Sequence, residues 1–129
     1  DPGEMIDQFA AELGNLIDFA KTKAKRVVVV RQPCFDKPMT KDEEKWMWNF
    51  AQGVIYASDV DTYYSHRLIA ELMHKTAERC GEVTRAHGAI DIDLGDTVEA
   101  GLENYYDFLH FTPKGAERVA HRIAKEITG

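Results

Sequence analysis

The chain has 129 residues, of which 44% are hydrophobic, so one packed domain over residues 1–129 is expected. Its formal net charge of −6 argues against a nucleic-acid partner and against binding to an anionic membrane, because both partners usually require a basic surface. The sequence also lacks an apolar run long enough to predict a membrane span, so a soluble protein is favoured.

The first predicted elements are a helix and a buried strand. Apolar residues at helical spacing predict a helix over residues 4–21, and Asp1-Pro2-Gly3-Glu4 resembles a capping box with proline at the first helical position. The β-branched run Val27–Val30 then predicts a parallel strand buried on both faces, which ends at Gln32-Pro33.

Two more helices are predicted in the middle of the chain. Thr40 and Glu43 form a second capping-box pattern before a short helix. The apolar residues of that helix are Trp46, Met47 and Phe50. Residues 53–61 are ambiguous, and residues 62–80 form an amphipathic pattern that Gly81 is expected to end.

The last third of the chain predicts a strand, a loop and a helix. Residues 89–94 predict a second strand, and residues 95–111 predict a loop with at most one short helical turn. Thr112 is a capping residue for the final helix, with Pro113 at its first position. The expected buried face of this helix consists of Ala116, Val119, Ala120, Ile123 and Ile127.

This order of helices and strands predicts an α/β fold with parallel strands. Two strands are too few for a parallel sheet, which is normally covered on both faces and contains several strands. The pattern therefore indicates the second half of a doubly wound sheet. Either the remaining strands are absent from the chain or they lie in segments predicted as loops.

The residues that carry chemistry are Asp107 and His110, three positions apart in the loop between the second strand and the last helix. In open α/β sheets, functional sites form beyond the carboxyl ends of the strands, where this loop should lie. A carboxylate beside an imidazole fixes its tautomer and stabilises the imidazolium that forms when histidine acts as a general base. Three-residue spacing in a turn lets both side chains point the same way, so the pair is a candidate carboxylate-oriented general base.

The stretch Tyr105–Gly115 is similar to the last sequence block of SGNH (GDSL-type) hydrolases, because Asp-x-x-His is followed there by a Thr-Pro-x-Gly helix start. The Val27–Val30 strand with Gln32-Pro33 resembles the strand and loop in the middle of these enzymes, and the strand at residues 90–94 resembles the one before their catalytic loop. The similarity extends over nearly the whole chain and is sharp only at residues 105–115.

The resemblance implies a flavodoxin-like (SGNH-type) three-layer sandwich, here a partial one whose N-terminal strands are missing. It implies that His110 deprotonates a serine and that Asp107 orients His110. It also implies a small ester substrate and hydrolysis without a metal ion or an organic cofactor.

The chain departs from the family at the nucleophile. It contains no Gly-Asp-Ser, and Gly95-Asp96-Thr97 lies too late in the sequence to serve as one. The oxyanion-hole glycine and the asparagine of the family's Gly-x-Asn-Asp block also have no match. We therefore expect the chain to begin after these blocks and to be inactive alone, since acyl transfer needs a nucleophile, a base and oxyanion donors together.

Two other functions stay open. The first is a non-enzymatic α/β association module that forms a homo-oligomer through an exposed sheet edge. The second keeps the enzyme but uses Cys34 or Ser65 as the nucleophile with His110. Free thiols are favoured over a disulfide between Cys34 and Cys80.

The remaining polar and aromatic residues have simpler interpretations. His66 and His74 are expected to be solvated surface residues, because their spacing does not suit a metal pair. The Asp59/Asp61 and Asp91/Asp93 pairs are expected to cap a helix and to alternate along a strand rather than to bind a cation. Tyr105 and Tyr106 flank the candidate site and are candidates for a substrate wall.

The N-terminus shows no secretory signal pattern, so the cytoplasm is the expected compartment. The chain does not begin with Met, and this leaves room for a localisation signal that precedes Asp1.

Overall fold

A computed structural model describes residues 2–46 and 64–128, apart from the side chains of residues 45 and 46. The elements are α1 (Pro2–Lys21), β1 (Val28–Arg31), α2 (Lys41–Trp46), α3 (His66–Ala86), β2 (Ile90–Asp93) and α4 (Pro113–Thr128). The two strands pair in parallel, with Val28 opposite Ile90 and Arg31 opposite Asp93. The predicted α/β class with parallel strands is therefore confirmed.

Several predicted features fall outside the described residues. They are the capping role of Asp1, the helical residues Met47 and Phe50, the ambiguous stretch 53–61, Ser58, the Asp59/Asp61 pair and the helix start at residue 62.

The predicted signals at two helix starts are confirmed. Pro2 is the first residue of α1. Before α2, the backbone N–H of Thr40 donates to the Glu43 carboxylate at 2.8 Å, and the Glu43 N–H donates to the Thr40 hydroxyl at 3.2 Å. This reciprocal pair satisfies two backbone donors that the first turn of a helix would otherwise leave without a partner.

The predicted end of the long helix at Gly81 is wrong. α3 continues through Gly81 to Ala86, and it ends at His87, just before Gly88, which has a φ of 68°. Gly81 is buried, and a Cβ at this position would lie 3.0 Å from Asp91 Oδ2. Gly81 thus lies inside the helix, close to the charged side chains of Arg85 and Asp91, whereas Gly88 supplies the left-handed backbone that ends the helix.

Helices α1 and α3 cover one face of the sheet. Ala10 and Ile17 of α1 pack with Val83 of α3, and Val29 of β1 packs against the same cluster. Because side chains alternate along a strand, Val28 and Val30 point to the opposite face, where Val30 remains 38% exposed.

The predicted buried face of α4 is only partly correct. Val119 and Ile123 are half-buried, whereas Ala116, Ala120 and Ile127 are exposed. Few apolar groups of the described residues cover this helix face, so its amphipathic pattern alone does not place it in the core.

α4 is anchored at both ends. At its start, Gly115 lies so close to Asn104 that an added Cβ would sit 2.2 Å from the Asn104 backbone oxygen. Near its end, Arg26 Nη1 donates to the backbone oxygen of Ile127 at 3.0 Å. The close approach at Gly115 fixes the loop that precedes α4.

An ionic cluster lies at the carboxyl ends of both strands. Arg31 Nε lies 2.9 Å from Asp91 Oδ1, and Arg31 Nη2 lies 2.9 Å from Asp93 Oδ2. Arg85 also pairs with Asp91. Both aspartates thus neutralise arginine, and the described residues contain no His/Cys/Asp/Glu group that could hold a metal ion.

Within the part of the chain that the structure describes, no helix combines the length and the hydrophobicity that crossing a bilayer requires.

Candidate functional site

Residues 105–111 form a tight hairpin that carries the candidate acid–base pair. Tyr105 and Phe111 form an antiparallel bridge, and the Tyr106 N–H donates to the His110 oxygen at 3.1 Å. Because directly opposite residues in such a pair share a face, Tyr105 and Phe111 point to one side and Tyr106 and His110 point to the other.

The inward side of this hairpin is fixed in the core. Tyr105 is 1% exposed, and its ring centroid lies 5.2 Å from that of Phe111. Phe108, at the tip, packs in the same cluster as Phe35, and the Phe35 N–H donates to the Phe108 oxygen at 2.9 Å. The loop is thus held by apolar packing and by a backbone hydrogen bond from the segment after β1.

Asp107 and His110 are in direct contact. The imidazole Nδ1 of His110 lies 2.7 Å from Asp107 Oδ2. The other carboxylate oxygen, Oδ1, accepts the backbone N–H groups of Leu109 at 2.8 Å and of His110 at 2.7 Å. The backbone bonds fix the carboxylate, and the carboxylate in turn favours the tautomer with the proton on Nδ1.

The pKa of Asp107 lies below its usual value. Partial burial acts to raise it, but the backbone N–H groups of His110 and Leu109, followed by the His110 ring, outweigh that effect. Asp107 therefore remains ionised at neutral pH, as a residue that orients a histidine must.

The ring of His110 is accessible. Its side chain is 64% exposed, compared with 19% for Asp107. Among the described residues, nothing donates to or accepts from Nε2 of His110. In the tautomer that Asp107 favours, this nitrogen carries a lone pair and can accept a proton from a group that approaches from solvent.

Tyr106 and His66 both contact the hairpin in ways that the sequence did not indicate. Tyr106 stacks on the His110 ring, with centroids 5.6 Å apart and an interplanar angle of 10°. The prediction that His66 is a solvated surface residue is wrong. Its Nε2 lies 2.7 Å from the Phe35 oxygen, and its ring contacts that of Phe108 edge-on, with the centroids 5.0 Å apart. His74 is exposed as predicted, and its Nε2 lies 2.7 Å from Asp36 Oδ2.

Neither Cys34 nor Ser65 has the surroundings of an activated nucleophile in this structure. Both cysteines are free thiols. Burial, and then the charge of Asp36, raise the pKa of Cys34 to about 11, so its thiol stays protonated at neutral pH. The hydroxyl of Ser65 accepts the Leu68 N–H at 3.2 Å as the N-cap of α3. Neither side chain is hydrogen-bonded to His110.

Tyr105 is a core residue and not a substrate wall. Burial, with a smaller effect of Cys34, raises the pKa of Tyr105 to about 12, so the phenol stays protonated. Tyr106 is 57% exposed beside His110 and is the aromatic residue that borders the candidate site.

A cleft of about 380 Å³ lies at the carboxyl ends of the two strands, between Gln32, Cys34, Met73 and Glu99. Neither Asp107 nor His110 lines it. The Gln32 side-chain amide donates to the Leu109 oxygen at 3.0 Å, so this cleft adjoins the hairpin.

The chain matches no protein-family model, and the searches of curated proteins and of solved structures yield no significant match.

Proposed function

We propose that this chain carries the acid–base arm of an SGNH-type serine ester hydrolase, with a flavodoxin-like arrangement around its parallel sheet. His110 is the general base and Asp107 is the residue that orients it. The observation that carries the proposal is the 2.7 Å contact between Asp107 Oδ2 and Nδ1 of an otherwise exposed imidazole.

The proposed chemistry follows from that geometry. Nε2 of His110 takes the proton of an attacking serine hydroxyl, and the imidazolium that forms is stabilised by the ionised Asp107. The same nitrogen then returns the proton to the leaving alcohol. No metal ion or organic cofactor enters these steps, and the substrate class is a small ester.

The remaining catalytic groups are assigned elsewhere. Within the described residues, no serine or cysteine lies in hydrogen-bond contact with His110. The proposal therefore places the nucleophile and the oxyanion donors in segments outside the described residues or in a partner polypeptide.

The activation of His110 can be tested on the chain itself. Diethyl pyrocarbonate acylates neutral imidazole nitrogens, and a histidine oriented by a carboxylate should react faster than an ordinary surface histidine. His121, exposed on α4, is the internal reference. We expect faster acylation of His110 at Nε2 than of His121, measured by mass spectrometry of peptides.

The matched variant is Asp107→Asn, which keeps the shape of the side chain and removes its charge. We expect His110 in this variant to react at about the rate of His121. An unchanged rate for His110 would mean that the pair only stabilises the hairpin, and the proposal would fail. The purified chain is expected not to turn over p-nitrophenyl acetate, and turnover abolished by His110→Ala would instead place a nucleophile within these residues.

The second candidate function, an association module, is favoured by a separate observation. Met5, Leu16 and Phe19 are 72%, 62% and 62% exposed. Their helical spacing places them on one flank of α1, away from the buried Ala10 and Ile17. An exposed apolar stripe of this kind indicates a contact with another polypeptide surface.

A further inference from the structure

We infer that Tyr106 is a positioning residue for His110, holding the imidazole in the plane in which Nδ1 meets Asp107. The role of the positioned ring rests on the proposed function, whereas the positioning itself is a property of the hairpin that can be measured without catalysis.

The hairpin places the two rings against each other. Tyr106 and His110 lie on the outward side, and the Tyr106 N–H to His110 oxygen bond of 3.1 Å fixes their backbones. The ring centroids are 5.6 Å apart and the planes differ by 10°, which is an offset stack within the range that aromatic pairs prefer. The inward pair, Tyr105 and Phe111, has an independent reason to be aromatic, because it fills the core.

Burial does not explain the position of Tyr106. Its side chain is 57% exposed, and that of His110 is 64% exposed. Two exposed rings gain little from the protein interior, so their mutual contact, together with the Asp107 bond to His110, orients them.

The imidazole needs a second restraint because Asp107 contacts only one of its atoms. The bond to Nδ1 leaves the ring free to tilt about the hydrogen-bond axis. The phenol ring of Tyr106 restrains one face of the imidazole, and the edge that carries Nε2 stays open. The π face of Tyr106 also attracts the imidazolium that forms during base catalysis.

The experiment uses the full chain labelled with ¹⁵N and ¹³C, at an alkaline pH that favours neutral imidazole side chains. NMR then reports the ratio of the Nδ1–H to the Nε2–H tautomer of His110 and the ring-current shifts of its carbon-bound protons. The variants are Tyr106→Ala, Tyr106→Leu and Tyr106→Phe, with Tyr64→Ala as the control at an exposed tyrosine outside the hairpin.

We expect Tyr106→Ala and Tyr106→Leu to lower the tautomer ratio roughly three- to tenfold, which corresponds to the loss of one aromatic pair, and to remove the upfield ring-current shift. Tyr106→Phe and Tyr64→Ala should leave both signals unchanged. The comparison of the Leu and Phe variants keeps the test decisive if the Ala variant does not fold.

A wild-type tautomer ratio in a folded Tyr106→Ala chain, or equal ratios in the Leu and Phe variants, would overturn the inference. Failure of the proposed function gives a different result. In that case Asp107→Asn leaves the acylation rate of His110 unchanged, while Tyr106→Ala still releases the ring.

Discussion

At the residue scale, Asp107 uses its two carboxylate oxygens for different purposes. Oδ1 accepts two backbone N–H groups and so closes the hairpin, while Oδ2 faces the imidazole. Because these donors lower the pKa of Asp107 below its usual value, they bind the charged form more tightly than the neutral form. A group with a lowered pKa stabilises the fold above its unfolded pKa, and this stability is lost as the pH falls through the lowered value.

We therefore expect Asp107→Asn to lower the free energy of unfolding by about 1–2 kcal/mol at neutral pH, since it removes charged acceptors of backbone hydrogen bonds. The difference from wild type should shrink as the pH falls below about 4–5, because wild-type Asp107 is then itself protonated. Urea unfolding across this pH range measures it, with Asp96→Asn in an exposed loop as the control. A difference that does not change with pH would contradict the assignment.

The contact between Asp107 and His110 was predictable, because three-residue spacing in a turn allows both side chains to point the same way. The stacking of Tyr106 on His110 was not, because it depends on the pairing of Tyr105 with Phe111, which no local pattern specifies. The contacts of His66 were not predictable either, so the sequence predicts a solvated residue. The carbonyl and the ring that it contacts belong to segments far away in the sequence.

At the element scale, the ends of the two strands carry two ion pairs that differ in burial and are therefore expected to differ in how much they stabilise the fold. Asp91 and Asp93 both pair with Arg31 at 2.9 Å, but the Asp91 side chain is 9% exposed and that of Asp93 is 57% exposed. The strand signal predicted β2 correctly, whereas the pairing of its aspartates with arginine required the register between β1 and β2.

We expect Asp91→Asn to cost about 3 kcal/mol, because it removes the buried carboxylate partner of Arg31 and leaves only the exposed Asp93. Asp93→Asn should cost less than about 1 kcal/mol, since an exposed pair is screened by water. Denaturant unfolding of both variants at the same pH tests the comparison. Equal costs would show that burial does not control the strength of this cluster.

The junction between the hairpin and α4 leads to a prediction about Gly115. Alanine is a better helix former than glycine by about 1 kcal/mol, but its Cβ would lie 2.2 Å from the backbone oxygen of Asn104. We expect Gly115→Ala to destabilise the protein by about 1–3 kcal/mol and to shift the NMR signals of His110.

Gly101→Ala is the matched control for Gly115→Ala, because a Cβ there meets nothing within 4 Å. It should leave both the stability and the His110 signals almost unchanged. A Gly115→Ala variant as stable as wild type, with unshifted His110 signals, would mean that α4 does not fix the hairpin.

At the scale of the whole molecule, the sequence predicted the helices and strands well. It predicted less well which of their faces are buried. β1, β2 and the starts of α1, α2 and α4 follow from local signals such as β-branched runs, capping residues and prolines. The end of α3 does not, because the helix continues through Gly81 and ends just before Gly88, whose φ is 68°. The apolar pattern of α4 predicts a face buried in the core, whereas Ile127 is 39% exposed in the structure.

The exposed apolar side chains of α1 lead to a prediction about self-association. Leu16 and Phe19 lie on the open flank of α1, and each is 62% exposed. Because apolar area removed from water stabilises a contact by about 25 cal/mol per Å², the chain should self-associate as its concentration rises. Sedimentation equilibrium measures the mass directly.

We expect Leu16→Gln combined with Phe19→Gln to weaken this self-association, because both changes remove apolar area from the same flank. Leu102→Gln removes a partly exposed leucine from the loop after β2 and should leave association unchanged. A wild-type chain that stays monomeric at all concentrations would remove the support for the association module. It would leave the acid–base pair as the feature that defines the function, because the reactivity of His110 does not depend on this flank of α1.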